Sequence, residues 1–311
     1  MKRAVILFSG QGSQVDGMGI DFYQADPRFK EMIDQASELT KLSLLEVFKN
    51  CQTATTLELQ PALTAFEVAL FQMLTQDFEL EIVGAVGLSL GEYPALIASG
   101  ALFVPEGLAL VTKRAKFMQA EAKTQPGALV AVLKPDLTEL NKLCQQCSNE
   151  QEIVQIANYN SPKQVVLGGH VAAVERLTTK LAVQGKKVVK LNVAGAFHTP
   201  LFATSKAQLA KEVTQIKFKD PAFTIFSNTT VEPFTAENLA SILPKQVIEP
   251  THFAKCLTQT LETKQPDLLL EIGPGNTLSK FARQIERSIP RYQVDTLERY
   301  RKTLAELREQ E

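Results

Sequence analysis

The stretch Gly87-Leu88-Ser89-Leu90-Gly91 constrains this chain more than any other, because the apolar run Glu81 to Leu88 feeds it and a helix-forming run begins at Leu90. A strand that turns within a few residues into a helix belongs to α/β architectures, and a GxSxG sequence at such a turn is a nucleophile elbow. The serine hydroxyl is lifted clear of the sheet there, while the first helical N–H groups point at any oxyanion forming beside it. A Cβ at either glycine would crowd the tight turn and the neighbouring strand. Five such letters also recur by chance in long chains. The strand before and the helix after favour the elbow over a plain Gly-rich turn.

The segments around the elbow alternate. Ala4 to Phe8 reads as a buried strand; Asp26-Pro27 starts a helix with Phe29, Met32, Ile33, Ala36 and Leu39 at helical spacing. Ser43 with Glu46 reads as a capping box for a short helix, and Pro61 as the opening of another that carries Phe66, Leu70 and Met73. Gly100 closes the helix after the elbow, and Pro105 starts one running to about Ala122. Strand and helix in alternation predict a parallel sheet covered on both faces.

The pattern changes at Thr124-Gln125-Pro126-Gly127. From there it reads strand (129–133), helix (136–147), strand (153–159), strand (164–167), helix (171–184) and strand (187–191). This βαββαβ order is the ferredoxin-like arrangement and is able to close its own small core. The expected organisation is therefore a large α/β subdomain made of residues 1–125 and 195–311, with a small inserted subdomain at 126–194. Alternation then resumes, with strands at 223–227 and 268–272, helices around 200–213, 251–263 and 277–289, and a charged amphipathic helix over 296–310.

With 311 residues, 45% hydrophobic and 22% charged, and a formal net charge of −1, the chain has enough apolar material for a sizeable core and no global field for nucleic acid or membranes. The apolar segment after Met1-Lys2-Arg3 ends too early, at Ser9, for a signal peptide, and the apolar region Ala95 to Val111 is broken by Ser99, Gly100, Pro105 and Glu106. The expected location is the cytoplasm. Cys144 and Cys147 form a lone CxxC with no second pair and no nearby histidine, so two cysteines on a helix is the favoured reading over a redox or zinc site.

A serine hydroxyl needs a base, and imidazole suits that task near neutral pH. Of the three histidines, His170 reads as a surface turn residue and His252 as part of a helix start. His198, in Gly195-Ala196-Phe197-His198-Thr199-Pro200, lies on the loop returning from the insert to the main sheet, and such junctions line clefts. Position favours it as the base over a satisfied structural histidine. No carboxylate stands where an α/β-hydrolase triad needs one, so a main-chain carbonyl is a candidate to orient the base. Arg114, in Lys113-Arg114-Ala115-Lys116, reads first as a solvated basic turn; directed into a cleft, its planar fork would select a carboxylate. Gly10-Gln11-Gly12-Ser13-Gln14-Val15 fails the dinucleotide fingerprint at Val15, but its loop can offer an oxyanion N–H from Gln11.

Taken together, Phe8-Ser9-Gly10-Gln11-Gly12-Ser13-Gln14, Gln60-Pro61-Ala62, Gly87 to Tyr93, Arg114 with Phe117-Met118-Gln119, Asn158 to Pro162, Gly195 to His198 and Glu271 to Gly275 resemble the malonyl-CoA:acyl carrier protein transacylase family. The blocks run in the family's order over nearly the whole chain. The resemblance implies a hydrolase-like α/β core with a parallel sheet and an inserted ferredoxin-like subdomain. It implies Ser89 as nucleophile, His198 as base and acid, Arg114 as the clamp on the malonyl carboxylate, and the N–H groups of Gln11 and Leu90 as oxyanion hole. Gln60 and Asn160 match positions near the pocket, and Phe197 would restrict room beside the α-carbon. Ser9 stands where the family often has Pro, and Leu88 where many members have His. His252 stands where Gln is common, and its main-chain carbonyl is expected to orient His198.

The activity so implied moves malonyl from coenzyme A to the phosphopantetheine thiol of acyl carrier protein through a seryl ester, in fatty acid biosynthesis. The alternatives are a freestanding malonyl acyltransferase of a polyketide pathway and a serine thioesterase or hydrolase. No metal or other cofactor is expected. The partners the resemblance implies are malonyl-CoA and acyl carrier protein, whose acidity predicts a basic border to the cleft with Lys186, Lys187 and Lys190 as candidates.

Overall fold

A computed structural model of the chain describes residues 1–309; Gln310, the end of the expected C-terminal helix, lies outside them. The strands among the described residues are, in chain order, β1 (Lys2–Phe8), β2 (Leu80–Gly87), β3 (Gly127–Leu133), β4 (Val154–Ser161), β5 (Gln164–His170), β6 (Val188–Lys190), β7 (Thr224–Ile225), β8 (Leu268–Ile272) and β9 (Arg291–Val294). Five of them form a parallel sheet in the order β7-β2-β1-β8-β9. β1 lies at its centre because Ala4 to Phe8 are all apolar and all 0% exposed, as a strand covered on both faces requires. Its side chains alternate: Ala4, Ile6 and Phe8 enter the larger core, while Val5 and Leu7 enter a second core with Val86, Phe253 and Leu269. Each of the larger side chains so buried contributes roughly 1.5–3 kcal/mol.

From β1 the sheet grows towards β2 on one side and β8 on the other. The loops leaving the carboxyl ends of these three strands therefore part and leave a crevice between them. Ser9 to Ser13 follow β1, Leu88 to Leu90 follow β2, and Thr277, Leu278, Lys280 and Phe281 come a few residues after β8; all of them line one cavity.

The second sheet is antiparallel, in the order β4-β5-β3-β6, and its elements run βαββαβ with helices Leu137–Cys147 and Val171–Val183. One face, with Val130, Val132, Val165 and Leu167, packs on Leu140, Leu143, Val174 and Leu177 of those helices. The opposite face, with Leu129, Ala131 and Val166, lines the cavity. This is the α/β fold with a parallel core and a ferredoxin-like second sheet. Cys144 and Cys147 are buried free thiols on the first of those helices.

Several local readings need correction. The long helix opens at Thr56, not Pro61, and runs to Asp77; Pro61 lies inside it. Its start is set by a capping box of Thr55 and Glu58, with Glu58 accepting from the Thr55 N–H at 2.7 Å. Ser43 does precede the helix Leu44–Lys49 but makes no side-chain cap, and Glu46 is paired with Lys49 at 2.7 Å and does not reach back to complete a capping box. The helix Ile20–Ala25 and strand β9 carry too few residues to show a period and were not expected.

Candidate active site

Ser89 sits where β2 ends, with φ 54°, followed by a single 3-10 turn Ser89–Gly91 and the helix Glu92–Ala98. The two glycines are there for lack of a Cβ. At Gly87 one would lie 2.1 Å from the Gly91 carbonyl carbon, and at Gly91 one would lie 2.2 Å from the Phe8 carbonyl oxygen. Asn228 holds the turn, accepting from the Ser89 N–H at 3.0 Å and donating to the Gly87 carbonyl at 2.9 Å.

Ser89 Oγ lies 2.7 Å from His198 Nε2. The other ring nitrogen, Nδ1, is 2.7 Å from the Gln246 carbonyl oxygen. A carbonyl only accepts, so Nδ1 carries the proton and Nε2 of the neutral ring is free to accept from the serine. Burial lowers the His198 pKa to about 4, helped by the charge of Arg114 and opposed by the Gln246 carbonyl. A hydroxyl paired with an unprotonated imidazole can be made a nucleophile.

Arg114 is not a solvated basic turn. It is 1% exposed, on the face of helix Val104–Thr124 that also carries Val111 and Met118. The neighbours read as solvated are so: Lys116 is exposed and Lys113 pairs with Glu212 at 2.5 Å on the surface. The Arg114 guanidinium donates to Gln60 Oε1 at 2.6 Å and Gln246 Oε1 at 2.9 Å, and its Nη2 is 3.5 Å from Ser89 Oγ. Burial lowers its pKa, the mark of a cation stripped of water.

These groups border a cavity of about 410 Å³. Gln11, Leu90, Gln60, Phe197 and Asn160 all line it. Gln11 is anchored by its side chain to Thr56 Oγ1 at 3.2 Å, and a Cβ on the preceding Gly10 would lie 2.7 Å from Leu88 O, so the β1 loop lies against the elbow. Phe197 packs on Phe202 at 5.1 Å between ring centroids. Asn160 donates to Gln164 Oε1 at 3.0 Å, and its own Oδ1 is buried without a partner. Of the three candidate lysines, Lys187 and Lys190 are exposed, and Lys186 lies 3.8 Å from Glu139.

His252 does not orient His198. Its carbonyl accepts from the Cys256 N–H at the start of helix Phe253–Lys264, and its ring stacks on Tyr159 at 4.8 Å. Gln246 takes that part because the short turn Lys245–Val247 runs alongside residue 198, with the His198 N–H donating to Val247 O at 3.0 Å. Gln246, Glu92 and Asn228 went unmarked as site residues in the sequence. Glu92 could have been found from its place three residues after the serine on an otherwise apolar helix. Among the described residues no group of three or more His, Cys, Asp or Glu could hold a metal ion, and no helix is long and apolar enough to cross a membrane.

The family model described as acyl transferase domain matches residues 5–306. A malonyl CoA-acyl carrier protein transacylase of Bacillus subtilis (strain 168) is 32% identical, over 98% of each chain. Among solved structures, MCAT from Streptococcus pneumoniae is similar with a TM-score of 0.91 and 35% identity, covering 97% of this chain and 99% of that one. A malonyl-CoA:acyl carrier protein transacylase from Xanthomonas oryzae pv. oryzae KACC10331 gives a TM-score of 0.92 and 31% identity over 98% of both.

Proposed function

This chain belongs to the acyl transferase family and, within it, to the malonyl-CoA:acyl carrier protein transacylases, and from that premise we propose that it moves malonyl from coenzyme A to the phosphopantetheine thiol of acyl carrier protein in fatty acid biosynthesis. The observation that carries the choice of acyl group is Arg114, a buried guanidinium whose Nη2 is 3.5 Å from Ser89 Oγ and whose partners are two neutral amides. A cation so placed favours an acyl group that brings its own carboxylate, and two parallel hydrogen bonds fix that carboxylate relative to the serine.

Ser89 attacks the malonyl thioester carbonyl as His198 Nε2 takes the hydroxyl proton. The carbonyl π electrons move to oxygen, which the N–H groups of Leu90 and Gln11 stabilise. Collapse of the tetrahedral adduct expels the coenzyme A sulfur, which leaves as the thiol with the proton from His198. The carrier-protein thiol then gives its proton to His198, attacks the seryl ester and departs as malonyl thioester, returning the proton to Ser89. Gln246 O keeps the imidazole tautomer throughout by accepting from Nδ1. One thioester is exchanged for another, so the reaction stays near equilibrium and calls on neither ATP nor a metal. The buried Asn160 Oδ1 suits a pantetheine amide N–H, and Phe197 narrows the space beside the α-carbon. The location proposed for this activity is the cytoplasm.

Intact mass after incubation with malonyl-CoA tests the reading: a malonyl adduct that is absent in Ser89→Ala and is discharged by holo acyl carrier protein is expected. Adduct lost to water as fast without carrier protein as with it would instead indicate a hydrolase.

A further inference from the structure

Arg114 hydrogen-bonds the amide oxygens of Gln60 and Gln246, and no carboxylate lies within ion-pair distance of it among the described residues. Its negative counterpart stands one residue further away. Glu92 is 0% exposed, and its Oε2 accepts from Gln246 Nε2. The orientation of the Gln246 amide is dictated by its surroundings. Nε2 faces two acceptors, the Ser89 carbonyl at 2.9 Å and the Glu92 carboxylate, so Oε1 must face the Arg114 Nη2 at 2.9 Å. One amide is thus polarised at both ends, by the cation on its oxygen and by the anion on its NH2 group.

The other Glu92 oxygen accepts from the Asn228 N–H, and the Asn228 side chain in turn holds the Ser89 N–H and Gly87 O. Glu92 is therefore joined to both the cation and the elbow. Burial pushes its pKa up to about 7, against the opposing pull of Asn228, Gln246 and Arg114. The titratable groups around it are Tyr93, Cys256, His198 and Arg114. Burial pushes Tyr93 up to about 12 and Cys256 well above the ordinary thiol range, and His198 is lowered to about 4. All three are neutral near pH 7, so among the described residues Arg114 is the charge that holds Glu92 ionised.

We propose that Glu92 is a positioning residue for carboxylated acyl groups: before loading, its carboxylate balances Arg114 through the Gln246 amide, and when an acyl carboxylate takes Arg114 directly, Glu92 accepts one proton from solvent and gives up its charge. The inference rests on the malonyl reading above. Two carboxylates cannot both be compensated by one guanidinium where Glu92 and Arg114 are at most 1% exposed, and the acyl carboxylate, bonded directly, has the stronger hold. The loaded state then carries one more proton than the free state. Malonyl loading therefore weakens as pH rises through the Glu92 midpoint, by up to about tenfold per pH unit at full coupling. An acetyl group brings no charge and feels no such linkage.

The test measures kcat/KM for acylation of Ser89 by malonyl-CoA and by acetyl-CoA between about pH 6 and about pH 9, in wild type and Glu92→Gln. The two donors share every other titrating group. A malonyl-to-acetyl ratio that falls with pH in wild type and is flat in Glu92→Gln supports the proposal. A flat ratio in wild type, or the same slope in the variant, overturns it. Where Glu92→Gln does not yield folded protein, proton uptake by wild type decides, followed with an indicator dye at about pH 8. Uptake approaching one proton per malonyl adduct beyond that with acetyl supports it, and equal uptake overturns it. Complete failure to form a malonyl adduct would overturn the functional reading itself, and this inference with it.

Discussion

Ser89 Oγ and His198 Nε2 meet at 2.7 Å, and both residues hold left-handed backbone conformations, with φ of 54° and 62°. Neither is glycine, so each conformation costs on the order of 1–3 kcal/mol and persists because the surroundings impose it. Asn228 holds the Ser89 N–H, and Val247 O holds the His198 N–H. The strain is placed on the two side chains that must be aimed at each other.

The depressed His198 pKa sets an acid limit on the reaction. With its pKa at about 4, the ring is neutral and able to accept the serine proton at all higher pH, and it loses that ability as pH falls through about 4. Acylation of Ser89 by acetyl-CoA, which avoids any titrating acyl carboxylate, is expected to stay level down to roughly pH 5 and then to fall about tenfold per unit. Rapid-quench rates across this range check it. A midpoint near the usual histidine value would mean that the ring is solvated.

Arg114→Ala removes the cation and leaves the Gln60 and Gln246 amides without their donor. Malonyl loading is expected to drop by on the order of 100-fold or more, as for loss of one partner in a buried charged hydrogen bond. Acetyl loading is expected to hold or rise. Parallel kinetics with the two donors measure the change in preference, and an unaltered malonyl rate would make the arginine a packing residue.

Gln246 and His252 separate by the same assay. Gln246→Ala keeps the carbonyl that orients His198 but removes the amide between Arg114, Glu92 and the Ser89 carbonyl, so malonyl kcat/KM is expected to fall by roughly 10- to 100-fold. His252→Gln touches none of these bonds and is expected to change it by less than about twofold, since isolated substitutions away from such features have small effects. Equal losses in the two variants would contradict the placing of the Gln246 amide between Arg114, Glu92 and the Ser89 carbonyl.

The glycines differ in the same way. An added methyl at Gly91 would lie 2.2 Å from the Phe8 carbonyl oxygen, so Gly91→Ala is expected to cost about 3 kcal/mol or more and to displace the elbow. At Gly12 nothing lies within 4 Å and only the φ of 110° opposes a side chain, so Gly12→Ala is expected to cost about 1–3 kcal/mol with the elbow intact. Thermal denaturation of both variants, read with their acylation rates, distinguishes crowding from backbone strain.

Much of the architecture was written in short-range pattern. Ala4 to Phe8 reads as a buried strand because the apolar run is short, carries the β-branched Val5 and Ile6 and ends at Ser9-Gly10. The βαββαβ order of residues 127–190 shows in alternating periods of two and about 3.6. Where the signal was short or the residue ambiguous, the reading slipped. Pro61 looks like a helix start, but the true start lies at Thr56, where Thr55 and Glu58 bond each other's backbone. β9 has only four residues and gains its stability from pairing with β8.

The chain by itself determined the elbow, since Gly87, Ser89 and Gly91 stand within five residues and their steric demands are local. It also determined that Val111, Arg114 and Met118 fall on one helical face, though the lysines flanking Arg114 masked that stripe. Which carbonyl faces His198, and that Glu92 reaches Arg114 through Gln246, was decided only by tertiary structure. Gln246 and Glu92 are 154 residues apart, and a backbone carbonyl carries no side-chain signature. Such contacts exist only once the elbow after β2 meets the turn Lys245–Val247, because hydrogen bonds act over about 3 Å and periodicity reports only on neighbours a few residues away.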